Sequence, residues 1–256
     1  MNLSRFSLDG KVALVTGGSR GIGKATALGF AEASADVVVT SRKLPDLEEV
    51  ASEIKALGRK SLAVSTHIGK MEQINDLVSK VTEEFGKIDI LVNNAGTSPV
   101  YAPVLDVEER AWDAIMNLNL KGLFFLSRAV ARIMKEQGGG TIINVASMDG
   151  FKPEPNIGIY AISKAGVIMA TKVMALELAK YNIKVNAIAP GNVSTRLGDS
   201  RWDVAPGYQE EMLKRIPMAR IAEPSEMVST MIYLASDASS YITGETILVD
   251  GGILLS

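Results

Sequence analysis

Short apolar runs rich in β-branched residues alternate along the chain with longer segments whose apolar positions recur every three to four residues. The first run, residues 11–16 (KVALVT), ends in a glycine-rich turn and gives way to a helical pattern over 21–33. Further strand patterns lie at 36–40 (DVVVT), 61–65, 88–93 (IDILVN), 141–146 (TIINVA), 183–189 and 246–249. Helical patterns fill the intervals at 44–57, 72–85, 106–135 and 158–180. Asp106 followed by Glu109 predicts a capping pair at the start of the long third interval, and the glycines at 138–140 stop it. Pro224 predicts the opening of another helix, because proline suits the first helical turn. Strands apolar throughout must be covered on both faces, which implies a parallel sheet. Regular β–α alternation then predicts a doubly wound α/β fold of about seven strands with right-handed crossovers. No linker, repeat or low-complexity segment interrupts the pattern, so residues 1–256 read as a single domain. Ligands of such sheets bind at the carboxyl ends of the strands, and the chemistry is therefore expected in the residues that follow each strand.

Composition narrows the classes. Apolar residues make up 47% of the chain, enough for a large core, and the formal net charge is −2 with no long run of one sign, so nothing favours nucleic acid. Cysteine is absent, which removes disulfides, thiolate metal sites and a cysteine nucleophile and suits a reducing compartment. A single histidine, His67, supports neither a histidine metal cluster nor a Ser–His–Asp triad. The opening MNLSRFSLDGK lacks the apolar centre of a signal peptide, no apolar run approaches the roughly 18 residues of a membrane span, and the final Leu-Leu-Ser is no peroxisomal address. A soluble, cytoplasmic enzyme is expected.

The first strand runs into TGGSRGIG, with Gly17, Ser19, Arg20, Gly21, Ile22 and Gly23 between strand and helix. Ser19 stands where a G-x-G-x-x-G fingerprint has its middle glycine, but the physics is shared: glycines allow a tight turn and close backbone approach to a pyrophosphate, and the helix that follows aims free N–H groups at it. The second strand ends in Thr40-Ser41-Arg42, with no acidic side chain for a ribose 2′-hydroxyl. Arg20 and Arg42 with the Ser41 hydroxyl suit a 2′-phosphate instead, since guanidinium matches phosphate oxygens bidentately; two solvated arginines are the plain alternative. After the fourth strand come Asn94, Ala95 and Gly96, small or amide residues that let a ribose pass close to the backbone.

Ser147 follows the fifth strand, and Tyr160 and Lys164 lie one helical turn apart on one face. Free tyrosine has a pKa of about 10, and a nearby ammonium favours the phenolate. Such a pair makes a proton donor and acceptor usable near neutral pH, with Ser147 placed to hydrogen-bond the substrate oxygen. Alone, Tyr-x-x-x-Lys is common in helices by chance; its company raises it.

TGGSRGIG, NNAG, Ser147, Tyr160-x-x-x-Lys164 and Pro190-Gly191 together resemble the short-chain dehydrogenase/reductase family over nearly the whole chain, 8–252. The resemblance implies a Rossmann-type dinucleotide site and direct hydride transfer between nicotinamide and substrate carbon, without a metal. It implies Tyr160 as catalytic acid/base, Lys164 lowering its pKa and binding the nicotinamide ribose, Ser147 polarising the carbonyl, and Asn119 holding a water in a relay to Lys164. Asn119 also reads as a buried amide at a helix kink. It places Pro190 and Gly191 in the cofactor site, and Val193 and Thr195 after them match positions that contact the nicotinamide carboxamide. Many relatives carry an aspartate and an aliphatic residue after the third strand; here His67-Ile68 stands there, with adenine contact or a purely structural role both open. Ser41 to Lys43 and His67 to Lys70 are similar to a branch of NADPH-dependent carbonyl and retinal reductases, and the general pattern to 3-oxoacyl-carrier-protein reductases and gluconate 5-dehydrogenases.

The expected activity is an NADP(H)-dependent interconversion of a ketone or aldehyde and an alcohol, on a small-molecule substrate. Substrate walls are expected at 97–101, 149–157 and a lid within 192–220 that contains Leu197, Trp202, Tyr208, Met212 and Met218. Asp149 and Lys152 either add polarity to that wall or face solvent. The family implies a homotetramer, with Leu123, Phe124, Phe125, Val167, Met169 and Met174 supplying apolar helix surface, some of it core. The alternatives are an NAD(H)-linked alcohol or sugar dehydrogenase, an inactive dinucleotide sensor, and an epimerase or dehydratase that retains its cofactor.

Overall fold

The computed structural model describes residues 3–98, 100–197 and 207–256. Its sheet has seven strands: β1 (Val12–Thr16), β2 (Asp36–Ser41), β3 (Ser61–Ser65), β4 (Ile90–Asn93), β5 (Gly140–Val145), β6 (Ile183–Pro190) and β7 (Thr246–Val249), in the order β3-β2-β1-β4-β5-β6-β7. Each pairing between these strands is parallel, as their apolar character requires. Successive residues of a strand serve opposite layers. Ala13 and Val15 of β1 join a core with Phe30 of α1 (Gly21–Glu32) and Leu47 of α2 (Leu44–Ala56). Leu14 between them joins the other core with Leu77 of α3 (Met71–Phe85) and Leu126 of α5 (Leu123–Glu136). The chain runs from β1 to one edge, then returns to place β4 on the other side of β1, so the carboxyl ends of β1 and β4 part at a switch point.

Residues 106–135 are not one helix. Val104–Asp106 is a 3-10 turn, Val107 is extended, and α4 (Glu109–Met116) begins after Glu108, so Asp106 lies outside the helix and the expected capping pair does not form. A π-helical segment, Asn117–Gly122, separates α4 from α5. Pro224 opens a 3-10 turn, Pro224–Met227, that runs into α8 (Val228–Ala235) behind a reciprocal capping box of Glu223 and Glu226. Two 2.7 Å hydrogen bonds donated by Arg220 hold the Glu226 carboxyl down at about 2.

The helix α6 (Gly158–Leu178), with the turn that follows it, corrects the expectation that no run is long enough to span a membrane: by length and composition Gly158–Tyr181 qualifies. Its Val167 and Ile168 pack on Ala187 and Ala189 of β6, which makes it a core helix of this fold. Of the apolar residues expected at an interface, Leu123, Val167 and Met174 lie in the monomer core, while Phe124 and Met169 are exposed. Ile162, Val173 and Leu176, also exposed, extend the Met169 stripe along α6.

Candidate active site

The turn between β1 and α1 is built on glycine. Gly17 has φ +65, a conformation open to glycine. A Cβ on Gly23 would stand 2.3 Å from the Gly17 carbonyl oxygen and 2.4 Å from Asn94 Nδ2, so α1 can approach β1 and β4 only because residue 23 has no side chain. Thr16 Oγ1 accepts the N–H groups of Asn94 (2.9 Å) and Ala95 (3.0 Å) and donates to Val92 O (3.2 Å), while Asn94 Nδ2 donates to Thr16 O and Gly17 O. These bonds lock the 94–96 turn to the glycine turn. Arg20 occupies the N-cap of α1 in extended conformation without a side-chain cap, leaving the first-turn N–H groups of Gly21, Ile22 and Gly23 for an anion. The cramped glycine turn and the uncapped helix fit a dinucleotide pyrophosphate.

Ser41 ends β2, and Arg42 beside it is exposed. The Arg20 guanidinium lies 3.6 Å from Asp46 Oδ2 in the first turn of α2, a half-exposed pair that a bound phosphate would compete with. His67 Nδ1 accepts the N–H of Gly69 at 3.1 Å, and the His67 N–H donates to Gln73 Oε1, so the ring closes the turn after β3 and keeps only its Nε2 edge for a ligand. Ile68 is buried. Beyond Pro190, Gly191 N–H donates to Val249 O, Val193 bridges to Ala222, and Thr195 Cγ2 stands 3.2 Å from where a Gly21 side chain would begin. Thr195 is thus folded back over the glycine turn.

Ser147, Tyr160 and Lys164 are each at least nine-tenths buried. Ser147 caps the short turn Met148–Gly150 beyond β5; Tyr160 and Lys164 sit in the first two turns of α6. Lys164 Nζ donates to Val145 O at 2.7 Å and stands 5.6 Å from the Tyr160 ring centroid, so β5 places both the ammonium and the serine. Asn119, 1% exposed in the π-helical segment, accepts the Thr97 N–H (2.8 Å) through Oδ1 and donates through Nδ2 to Thr97 O (2.9 Å) and Ser163 Oγ (3.1 Å). Its amide therefore ties the strand-end loop to α6. Its Oδ1 and Lys164 Nζ both lie 3.6 Å from where a Gly96 side chain would begin, which gathers Gly96, Asn119 and Lys164 around one point.

Several residues outside the catalytic set position this cluster. Ser163 donates to Tyr160 O and accepts from Asn119. Asn93 Nδ2 donates to Ser127 Oγ and Asn144 Oδ1, and Asn144 Nδ2 to Thr171 Oγ1, a buried chain that joins β4 and β5 to α5 and α6. Isolated polar residues in apolar elements were the available signal. Of the expected substrate wall, Asp149 is buried against Ser147, whereas Lys152 is exposed and donates to Ser256 O. Met212 of α7 (Tyr208–Arg215) packs with Met148, Ile216 and Ile253, while Met218 is exposed. Trp202, the Tyr208 side chain and Pro99 lie outside the described residues.

A family model described as enoyl-(acyl carrier protein) reductase matches residues 17–254. The 2-dehydro-3-deoxy-D-gluconate 5-dehydrogenase of Escherichia coli is 44% identical over 255 residues, covering 99% of each chain. The chain belongs to the short-chain dehydrogenase/reductase family. Another short-chain dehydrogenase/reductase relative, the 3-oxoacyl-[acyl-carrier-protein] reductase of Thermotoga maritima, is 41% identical and covers 97% of this chain and 99% of its own. Among solved structures, a gluconate 5-dehydrogenase from Burkholderia cenocepacia in complex with NADP and tartrate superimposes with a TM-score of 0.95 at 37% identity, covering 99% of each chain. The reaction class of this short-chain dehydrogenase/reductase is oxidoreduction.

Proposed function

We propose that this protein is an NADP(H)-dependent oxidoreductase that interconverts a ketone or aldehyde and an alcohol, with Tyr160 as the acid/base. The observation that carries this reading is the buried convergence of Ser147, Tyr160 and Lys164 at the end of β5, beside the glycine turn at the switch point. A nicotinamide nucleotide held by Gly17, Gly21, Gly23 and the opening of α1 would supply or accept the hydride. Tyr160 gives its phenolic proton to the carbonyl oxygen during reduction and takes it from the alcohol during oxidation. The Lys164 ammonium stabilises the phenolate, and its bond to Val145 O fixes it for that task. Ser147 offers a second hydrogen bond to the reacting oxygen. Arg42, Arg20 and Ser41, with no acidic residue at the end of β2, support a 2′-phosphate and hence NADP(H). The stripe Ile162, Met169, Val173 and Leu176 supports assembly as a homotetramer through α6.

The test follows absorbance at 340 nm with NADPH and, in parallel, NADH, against ketones, aldehydes, diketones, keto sugars and oxo-acyl thioesters. Oxidation of NADPH in preference to NADH by a panel member supports the reading. Faster NADH use overturns the cofactor assignment, and silence with both cofactors overturns the carbonyl–alcohol assignment.

A further inference from the structure

The Ser147 hydroxyl is already engaged. Its Oγ donates to Asp149 Oδ2 at 3.1 Å and accepts the Asp149 backbone N–H at 3.1 Å. Asp149 is 2% exposed, so its carboxylate meets Ser147 away from bulk solvent. Asp149 lines a narrow crevice with Met148, Lys152, Glu154, Arg215, Ile253 and Leu254, with room for about one water. Of its lining residues, Arg215 and Glu154 form an ion pair at 3.1 Å and Lys152 donates to Ser256 O. The charged groups around the carboxylate are thus drawn from the catalytic loop, α7 and the C-terminal turn.

A hydroxyl has one hydrogen and two lone pairs. With the hydrogen on Asp149 and one lone pair on the backbone N–H, Ser147 keeps a single lone pair for a ligand. That suits an alcohol bound with NADPH, where Tyr160 is protonated: it donates its own O–H to Ser147 while accepting from Tyr160, and oxidation requires that hydrogen to turn to Tyr160. A carbonyl oxygen only accepts, so it engages Ser147 only after the hydroxyl leaves the carboxylate, and hydrogen bonds to a charged acceptor are roughly twice as strong as neutral ones. We propose that Asp149 is a positioning residue that presets Ser147 as a hydrogen-bond acceptor and so favours ground-state binding of the alcohol over the carbonyl partner. The proposal rests on the carbonyl–alcohol reading of this site.

Because the equilibrium constant ties kcat/KM in the two directions, binding is the informative readout. Calorimetric titration of the full chain measures two non-reacting ternary complexes: ketone added to enzyme with NADP+, and its alcohol added to enzyme with NADPH. The pair is the best substrate couple of the absorbance panel, with NAD+ and NADH substituted if the panel selects them. Asp149→Asn keeps the shape and the backbone bond but removes the charge; Asp149→Ser serves as a second variant should the first not fold. The expected result is a ketone Kd lowered about fivefold or more relative to the alcohol Kd, since the weaker neutral acceptor releases the hydroxyl. In a Ser147→Ala background the same change at 149 should leave the ratio within about twofold, because no hydroxyl remains to redirect. A ratio that does not move, or that moves equally without Ser147, overturns the role of Asp149. A wild-type protein that turns over no panel substrate overturns the carbonyl–alcohol reading and this proposal with it.

Discussion

In the proposed reaction Tyr160 is the residue on which the chemistry turns, and its surroundings define the test. Tyr160 is 7% exposed, so Tyr160→Phe preserves packing and removes only the proton donor. Turnover should fall about 10²- to 10⁴-fold, the usual contribution of a positioned acid/base, while NADPH affinity measured by fluorescence stays nearly unchanged. Wild-type rates in that variant would remove Tyr160 from the mechanism. Arg42 makes a complementary case for cofactor choice. Arg20 is partly neutralised by Asp46 at 3.6 Å, which leaves Arg42 to carry more of the recognition of a 2′-phosphate. Arg42→Asp should therefore lower the NADPH-to-NADH ratio of kcat/KM by about tenfold or more, equivalent to about 1.4 kcal/mol. An unchanged ratio would end the phosphate argument. His67 has a structural part, since its Nδ1 accepts the Gly69 N–H, and it keeps Nε2 for a ligand.

At the scale of elements, the entry into α1 is the least forgiving. Gly23→Ala would drive a methyl to 2.3 Å from the Gly17 carbonyl, and this nearest obstacle is backbone, not a side chain that could swing away. The helix must shift, at a cost on the order of 1–3 kcal/mol, typical of overpacking. Thermal unfolding should show the lower stability, and NADPH titration should show affinity weakened by more than about tenfold because the helix opening leaves the pyrophosphate. A variant that binds NADPH as wild type does would show that the glycine turn does not hold the cofactor. The 106–135 interval illustrates the opposite limit of legibility. Its apolar positions follow a helical period, so a helix was legible, but the 3-10 turn, the late start of α4 and the π-helical segment around Asn119 were not. Periodicity records which face is buried. It does not record the one-residue slips through which Asn119 meets Thr97 and Ser163.

For the whole molecule, the exposed stripe on α6 is a statement about assembly. Leu176 is 84% exposed and Met169 59%, on a helix whose opposite face carries Tyr160 and Lys164 into the core. A homotetramer that covers this stripe predicts a light-scattering mass of about four 27.3 kDa chains, and a lower mass for the Met169→Glu, Leu176→Glu double variant, whose buried charges would lack partners. A monomeric wild type, or a variant still fully assembled, would put the interface elsewhere. The sequence by itself determined the parallel doubly wound sheet, because apolar strands alternating with amphipathic helices have few other ways to cover both faces. It also determined the location of the glycine turn and the Ser147, Tyr160 and Lys164 set, since these follow strands or share a helix face. Only the tertiary structure decided that Asp149 is buried on Ser147, that Asn119 is spent on Thr97 and Ser163, and which apolar helix residues face outward. The Asn119 bonds and the outward-facing residues depend on contacts between elements far apart in the chain, where spacing along one element carries no information; the Ser147–Asp149 contact is local, but its burial depends on what packs over that turn.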